Sequence, residues 1–263
     1  LNEKFFKGEI ILSKYGLDKF YTKDEISIKC LKEISNINSY KTIIEPSAGD
    51  GSFSEKINNC IAFDIQPENE NIFQADFLKK DLSEYESPIL IIGNPPFGRN
   101  GSLALKFIKH SAKFADTIAF ILPKSFKKQS LYDKIPLNFW KIYEKDIPND
   151  SFLFEGKTVD IPCVFQIYEK RKEKRKKEKI EQPDFFSFVK KEEANVSIRR
   201  VGVYSGKASL DLNKSKQSHY FIKTDNPREF VDIVNSIHWE HNNTVGARSI
   251  SKPELIKALL EVF

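Results

Sequence analysis

The chain has 263 residues, and at about 100–200 residues per domain it suits one large domain or one domain with an appendage. Hydrophobic residues make up 40% and charged residues 30%, which is enough for a packed core and excludes a wholly disordered chain. Lys and Arg number 42 against 37 Asp and Glu, a net charge of +5 that permits an anionic partner without demanding one.

No stretch approaches the ~18 consecutive apolar residues of a membrane span, and the N-terminal residues lack the apolar core of a signal peptide. The three cysteines, Cys30, Cys60 and Cys163, are scattered and form no CxxC. A disulfide framework or cysteine zinc site is not expected, and a reducing cytoplasmic setting is. Methionine is absent, so residue 1 is not taken as a translation start.

In chain order, the first signal is Thr22-Lys-Asp-Glu25, which predicts a capping box opening a helix along Ile26, Cys30, Leu31 and Ile34. Apolar runs at Thr42–Glu45, Cys60–Asp64, Ile72–Ala75, Ile89–Gly93 and Thr117–Leu122 predict buried parallel strands. A helix is predicted from Ser102, with Leu105, Ile108, Ala112 and Ala115 on one face. Strands alternating with helices predict an α/β domain whose ligands lie beyond the carboxyl ends of the strands. A hairpin from Ser151–Phe154 to Val159–Tyr168, with Gly156 in its bend, is expected to close the sheet.

Charge divides the chain. Residues 1–168 hold 22 Lys and Arg against 23 Asp and Glu, whereas 169–182 hold eight against four, and 183–263 twelve against ten. The 169–182 run has one apolar residue, Ile180, and predicts a linker or solvated helix extension. Beyond it, Phe185–Val189, Asn195–Val203 and His219–Thr224 predict short strands, and Pro227–Ile237 a helix. A last helix opens at Ser251-Lys-Pro-Glu254, with Ser251 as its cap. The expected organisation is a catalytic domain over 1–168, a basic linker over 169–182 and a small α+β domain over 183–263.

Two motifs carry chemistry. Ile44-Glu-Pro-Ser-Ala-Gly-Asp-Gly-Ser-Phe53 follows the first buried strand, and its small residues let the backbone turn tightly and approach a ligand. Asp64 ends the next strand, placed to accept from both hydroxyls of a ribose. Asp76 ends the third, where it can hold an adenine amino group while Phe77 covers the ring. The second motif is Ile91-Ile-Gly-Asn-Pro-Pro-Phe-Gly98. Pro95 and Pro96 stiffen the turn, and Asn94 offers an amide at the strand tip. An exocyclic amino group delocalises its lone pair into its ring. Asn94 and the Pro95 carbonyl, taking its two protons, would free that pair while Phe97 holds the ring.

Asn94–Phe97 together with Glu45–Phe53 resembles the class I S-adenosylmethionine-dependent amino-methyltransferases of the NPPF/NPPY type, including DNA N6-adenine methyltransferases of γ order. The resemblance covers about residues 15–168, and Phe20-Tyr-Thr-Lys23 is similar to the family's N-terminal motif, although Lys23 stands where the family has Pro. It implies a Rossmann-like, mostly parallel seven-stranded sheet whose last strand, near Ile161–Tyr168, is antiparallel. It implies S-adenosylmethionine held by Tyr21, Thr22, Glu45, Pro46, Ala48 and Gly49 at its methionine end, by Asp64 and Ile65 at the ribose and adenine edge, and by Asp76 and Phe77 at the adenine. Asn94, Pro95, Pro96 and Phe97 would be catalytic, and Phe152 or Phe154 would stack on the target base.

The implied activity is site-specific methylation of adenine N6 in DNA, of restriction–modification or phage type, with the base flipped from a duplex. RNA adenine methylation, protein glutamine methylation and a non-catalytic nucleic-acid binder are the alternatives. Arg199, Arg200, Lys207 and Lys214, among interleaved aromatics, are the expected nucleic-acid contacts. No metal is expected, and His238-Trp-Glu-His241 lacks a third convergent ligand.

Overall fold

A computed structural model of the chain describes residues 20–177, 180–239 and 248–263. It divides into two units between Lys176 and Lys177.

The first unit is built on a sheet of seven strands: β2 (Thr42–Glu45), β3 (Ile61–Asp64), β4 (Phe73–Gln74), β5 (Ile89–Gly93), β6 (Thr117–Pro123), β7 (Phe139–Asp146) and β10 (Cys163–Lys170). Their order across the sheet is β4-β3-β2-β5-β6-β10-β7. The first five are parallel, with Ile44 beside Ile61, Thr42 beside Ile89 and Leu90 beside Thr117. β10 runs antiparallel to both β6 and β7. This is a Rossmann-like, mostly parallel seven-stranded sheet, as expected. β2, β5 and β6 are buried throughout, which is why they read as unbroken apolar runs rather than alternating ones.

Three expectations need correction. The strand β7 was not predicted. It sits at the sheet edge, and its Lys141, Glu144, Lys145 and Asp146 interrupt the apolar signal. The hairpin of β8 (Phe152–Phe154) and β9 (Lys157–Val159) does not close the main sheet. β8 pairs with β1 (Tyr21–Thr22) to make a separate three-stranded sheet, and β10 alone enters the main one. Thr22 is not a helix cap. It is a strand residue opposite Phe152, and helix α1 (Asp24–Lys32) starts after Lys23 with no side-chain cap bond. Helix α2 (Ser102–Ser111) lies where expected, and a short α3 covers Gln129–Tyr132.

The basic run is partly structural. β10 extends through Lys170, and Arg175 is buried. Its Nε donates to the Phe139 carbonyl at 2.7 Å and its Nη2 to the Tyr132 and Ile135 carbonyls, with the guanidinium 3.7 Å from the Tyr132 ring centroid.

The second unit has a four-stranded antiparallel sheet, ordered β11 (Ser187–Phe188), β14 (His219–Lys223), β12 (Val196–Arg199) and β13 (Ala208–Ser209). Helices α4 (Pro227–Ser236) and α5 (Lys252–Leu260) accompany it. Phe186, Val196, Ile222, Phe230, Val234, Leu255 and Leu259 form its own core. Ser251 caps α5 as expected, and Glu254 completes a capping box: the Ser251 hydroxyl accepts from the Glu254 N–H while Glu254 accepts from the Ser251 N–H. No helix among the described residues is long and apolar enough to cross a membrane.

Candidate active site

The carboxyl ends of β2, β3, β4 and β5 converge on a cavity of about 460 Å³, within the ~300–1,000 Å³ of small-molecule sites. Such an opening is where an open α/β sheet presents ligands.

Glu45, at the tip of β2, lines the cavity yet is 1% exposed. Its Oε2 accepts from the Ser54 N–H at 2.7 Å. Burial nonetheless pushes its carboxyl up to about 8. The chain then turns through Gly49 at φ +58°, where a Cβ would stand 3.2 Å from the Tyr21 ring. Glycine lets the loop pass beneath that ring at no steric cost. The Gly49 N–H donates to Asp64 Oδ2 at 2.8 Å, and the Gln66 N–H to Asp64 Oδ1 at 2.7 Å. The Asp64 carboxylate at the tip of β3 is thus fixed by two backbone donors, with lone pairs left over. Asp76 is held similarly, Oδ1 by the Leu78 N–H at 3.1 Å and Oδ2 by Lys79 at 2.9 Å.

Asn94 follows β5. Its Nδ2 donates to the Phe20 carbonyl at 3.3 Å and to Thr22 Oγ1 at 3.2 Å. Thr22, misread as a cap, therefore orients this amide instead. With its NH₂ occupied, Asn94 turns its oxygen elsewhere. Oδ1 is buried and has no hydrogen-bond partner among the described residues. An unsatisfied buried acceptor costs about 1–3 kcal/mol, so its persistence calls for an explanation.

The cavity brings together Tyr21, Thr22, Glu45, Pro46, Ala48, Gly49, Asp64, Ile65, Asp76, Phe77, Asn94 and Pro96 of the expected set. Pro95 and Phe97 do not line it. Phe97 is 7% exposed, and its carbonyl accepts from the Leu103 and Ala104 N–H groups to start α2. Phe152 is fully buried and cannot stack on a base. Phe154 is half-buried, its ring 5.5 Å from that of Phe20, which does line the cavity. Phe77 is 2% exposed and stacks on Phe107 at 5.5 Å, so it forms wall rather than open surface.

Sequence reasoning missed Phe20, Ser47, Glu68, Leu103 and Phe107 as lining residues. Leu103 and Phe107 stand four apart on α2, a second apolar pair beside the face that was read. Glu68 accepts a short hydrogen bond from the Tyr21 hydroxyl. Burial and that carboxylate raise the Tyr21 hydroxyl above the ordinary tyrosine range. In the second unit, Arg199 Nε donates to the Val201 carbonyl and Arg200 Nε to the Gln217 carbonyl. Lys214 pairs with Asp211, and Lys207 follows the turn whose Val203 and Tyr204 are 67% and 65% exposed. No group of three or more His, Cys, Asp or Glu among the described residues could hold a metal; Glu240 and His241 lie outside them.

No protein-family model and no curated protein matches the sequence. Among solved structures, the chain is similar to a Pyrococcus horikoshii protein proposed as an RNA methyltransferase, at 15% identity and a TM-score of 0.44, over 61% of this chain and 96% of that one. It is also similar to a Thermoplasma acidophilum protein at 18% identity and a TM-score of 0.42, over 56% and 89%. The 23S rRNA methyltransferase ErmE is similar at 14% identity and a TM-score of 0.40, over 59% and 70%.

Proposed function

We propose that the chain transfers a methyl group from S-adenosylmethionine to N6 of adenine in nucleic acid, with DNA as the polymer. The unpartnered Oδ1 of Asn94, on a rigid Asn-Pro-Pro turn in a cavity at the strand tips, carries this reading. An acceptor kept dry and unused suits a substrate amino group that brings its own donor.

The cavity suits the cofactor. Glu45, Asp50, Asp64, Glu68 and Asp76 line it and no Lys or Arg does, a setting for a ligand bearing positive charge. Tyr21, Thr22, Glu45, Pro46, Ala48 and Gly49 would hold its methionine end, Asp64 and Ile65 the ribose and adenine edge, and Asp76 and Phe77 the adenine. When bound, S-adenosylmethionine supplies an electrophilic methyl group on a sulfonium.

The remaining work belongs to the chain. Asn94 Oδ1 and the Pro95 carbonyl accept the two amino protons of the target base, which withdraws the nitrogen lone pair from ring conjugation. Thr22 and the Phe20 carbonyl hold the Asn94 amide in the orientation this requires. Phe154, with Phe20, is the aromatic pair for the target ring. Placement and exclusion of water supply the rate gain. Arg199, Arg200, Lys207 and Lys214 contact the polymer.

Labelled S-adenosylmethionine offered with duplex DNA, RNA and protein in parallel, followed by nucleoside analysis, tests this. Label in N6-methyladenine of DNA is expected. Label in RNA alone would move the polymer and keep the chemistry, and label in protein alone would overturn the nucleobase. Asn94→Ala should lower turnover on the order of 10²–10³-fold or more while cofactor affinity stays within a few-fold. Unchanged turnover would remove Asn94 from catalysis.

A further inference from the structure

The second unit holds a cleft of its own, about 220 Å³, that no expected contact residue lines. β11, β14 and the start of α5 form it. Lys190, Lys191, Lys216 and Lys252 border it over a floor containing Phe188 and Tyr220. No carboxylate is among its lining residues.

The four ammonium groups are separately placed. Lys252 Nζ lies 4.3 Å from the Phe188 ring centroid, and Lys191 Nζ lies 5.9 Å from that of Phe221 while donating to the Lys214 carbonyl at 3.1 Å. Lys216 pairs with Glu192 at 2.8 Å, both more than 60% exposed, an ion pair of little strength. Among the described residues none of Lys190, Lys191 and Lys252 forms a close ion pair, although Glu192 and Asp211 lie near enough to feel the charges of Lys190 and Lys191. Packing the lysine heads near ring faces gathers positive charge at one place. The Arg200 guanidinium stands 5.7 Å from the ring centroid of Tyr220, one of the residues that line the cleft.

Its size decides the ligand class. At about 220 Å³ it is below the ~300 Å³ lower bound of ordinary small-molecule pockets, so it suits a fragment of a larger ligand. Positive walls select an anionic fragment, and a partly aromatic floor selects one carrying a flat or apolar body.

We propose that this cleft seats a phosphodiester segment of the nucleic-acid substrate, its phosphate among Lys190, Lys191 and Lys252 and its sugar on Phe188 and Tyr220. This rests on the nucleic-acid reading above and adds to it a phosphate-tracking site that carries affinity rather than sequence choice.

The test is a Lys190→Gln/Lys191→Gln/Lys252→Gln variant of the full chain, with fluorescence anisotropy against a labelled duplex DNA and an RNA over a series of salt concentrations. Each lost phosphate contact lowers the log–log salt slope by about 0.9, so a fall of about two to three is expected, alike for all duplex sequences. The Lys→Arg triple should restore the slope, which separates charge from misfolding. Gln at the exposed Lys106 and Lys109 of α2 and at Lys113 just beyond it should leave it unchanged. A slope equal to wild type overturns the cleft and leaves the nucleic-acid reading standing. A wild-type chain that binds neither polymer overturns both.

Discussion

The cavity of the first unit and the cleft of the second are lined by opposite charges. Five carboxyl groups, that of Glu45 pushed up to about 8 by burial, and no Lys or Arg surround the larger; four lysines and no acidic residue surround the smaller. The larger is also the drier, with Glu45 and Phe77 almost wholly buried in its walls, whereas Lys190, Lys216 and Lys252 are exposed. The overall charge of +5 therefore describes neither site. On the readings proposed above, one receives a cation in low dielectric and the other an anion met at the surface, where salt screens the attraction.

The sharpest way to break this contrast is Glu45. An exposed glutamate ionises near 4.5, whereas burial pushes this one up to about 8 in the fold. The folded chain keeps the proton over that interval and the unfolded chain does not. Stability is then full below pH 4.5, declines as pH rises and levels off above 8. At about 1.4 kcal/mol per pH unit the decline amounts to a few kcal/mol. Glu45→Gln keeps an acceptor for the Ser54 N–H and has no proton to lose. It should melt higher than wild type at pH 8.5, with a flatter Tm–pH profile, and parallel profiles would show that Glu45 titrates normally. A cationic ligand favours the ionised form, so affinity for S-adenosylmethionine should rise with pH up to about 8 in wild type. Calorimetry in two buffers would show the released proton, and the variant should lose it.

Arg175 tests where the basic run belongs. By composition it is one more cation of 169–182; by structure it is a buried donor to three carbonyls of the first unit. Arg175→Ala should destabilise that unit by about 3 kcal/mol by leaving buried acceptors unpaired, measured by urea unfolding. Lys172→Ala, at an exposed position, should cost less than about 0.5 kcal/mol. Equal effects would return Arg175 to the solvated set. Any attempt to flatten the salt dependence by neutralising 170–179 must therefore spare Arg175.

Why the run misled is part of a wider pattern. The strands β2, β3, β5 and β6 were legible to within a residue, because burial on both faces leaves an unbroken apolar signature. β7 was not, because an edge strand alternates with charge. The Thr22-to-Glu25 spacing satisfies a capping box, yet pairing of β1 with β8 takes Thr22 into a strand, a long-range choice that local sequence does not encode. The same holds in the site. Asn94, Glu45 and Asp64 stand at strand tips and could be read. Glu68 and Phe20 reach the cavity from loop and strand edge, where only tertiary structure brings them in. Phe152 was offered beside Phe154 on the strength of the family resemblance, and its complete burial withholds the ring face that role needs.

The smallest effect concerns how the acidic cavity is closed. Tyr21 reaches across Gly49 to hydrogen-bond Glu68, joining β1 to the loop after β3. Both residues line the cavity, so this bond ties two of its walls. Tyr21→Phe keeps the ring over Gly49 and removes only the hydroxyl. The loss should be under about 1 kcal/mol in stability, the ordinary net worth of a hydrogen bond that water can replace. Its clearer signature should be kinetic: a cofactor dissociation rate raised a few-fold by stopped-flow, with the association rate nearly unchanged. Gly49→Ala attacks the same place differently. At φ +58°, with a Cβ 3.2 Å from the ring, it strains the turn and pushes Tyr21 away from Glu68. If the bond to Glu68 ties the wall, both variants speed release. If only the ring's cover matters, Tyr21→Phe behaves as wild type and Gly49→Ala alone does not.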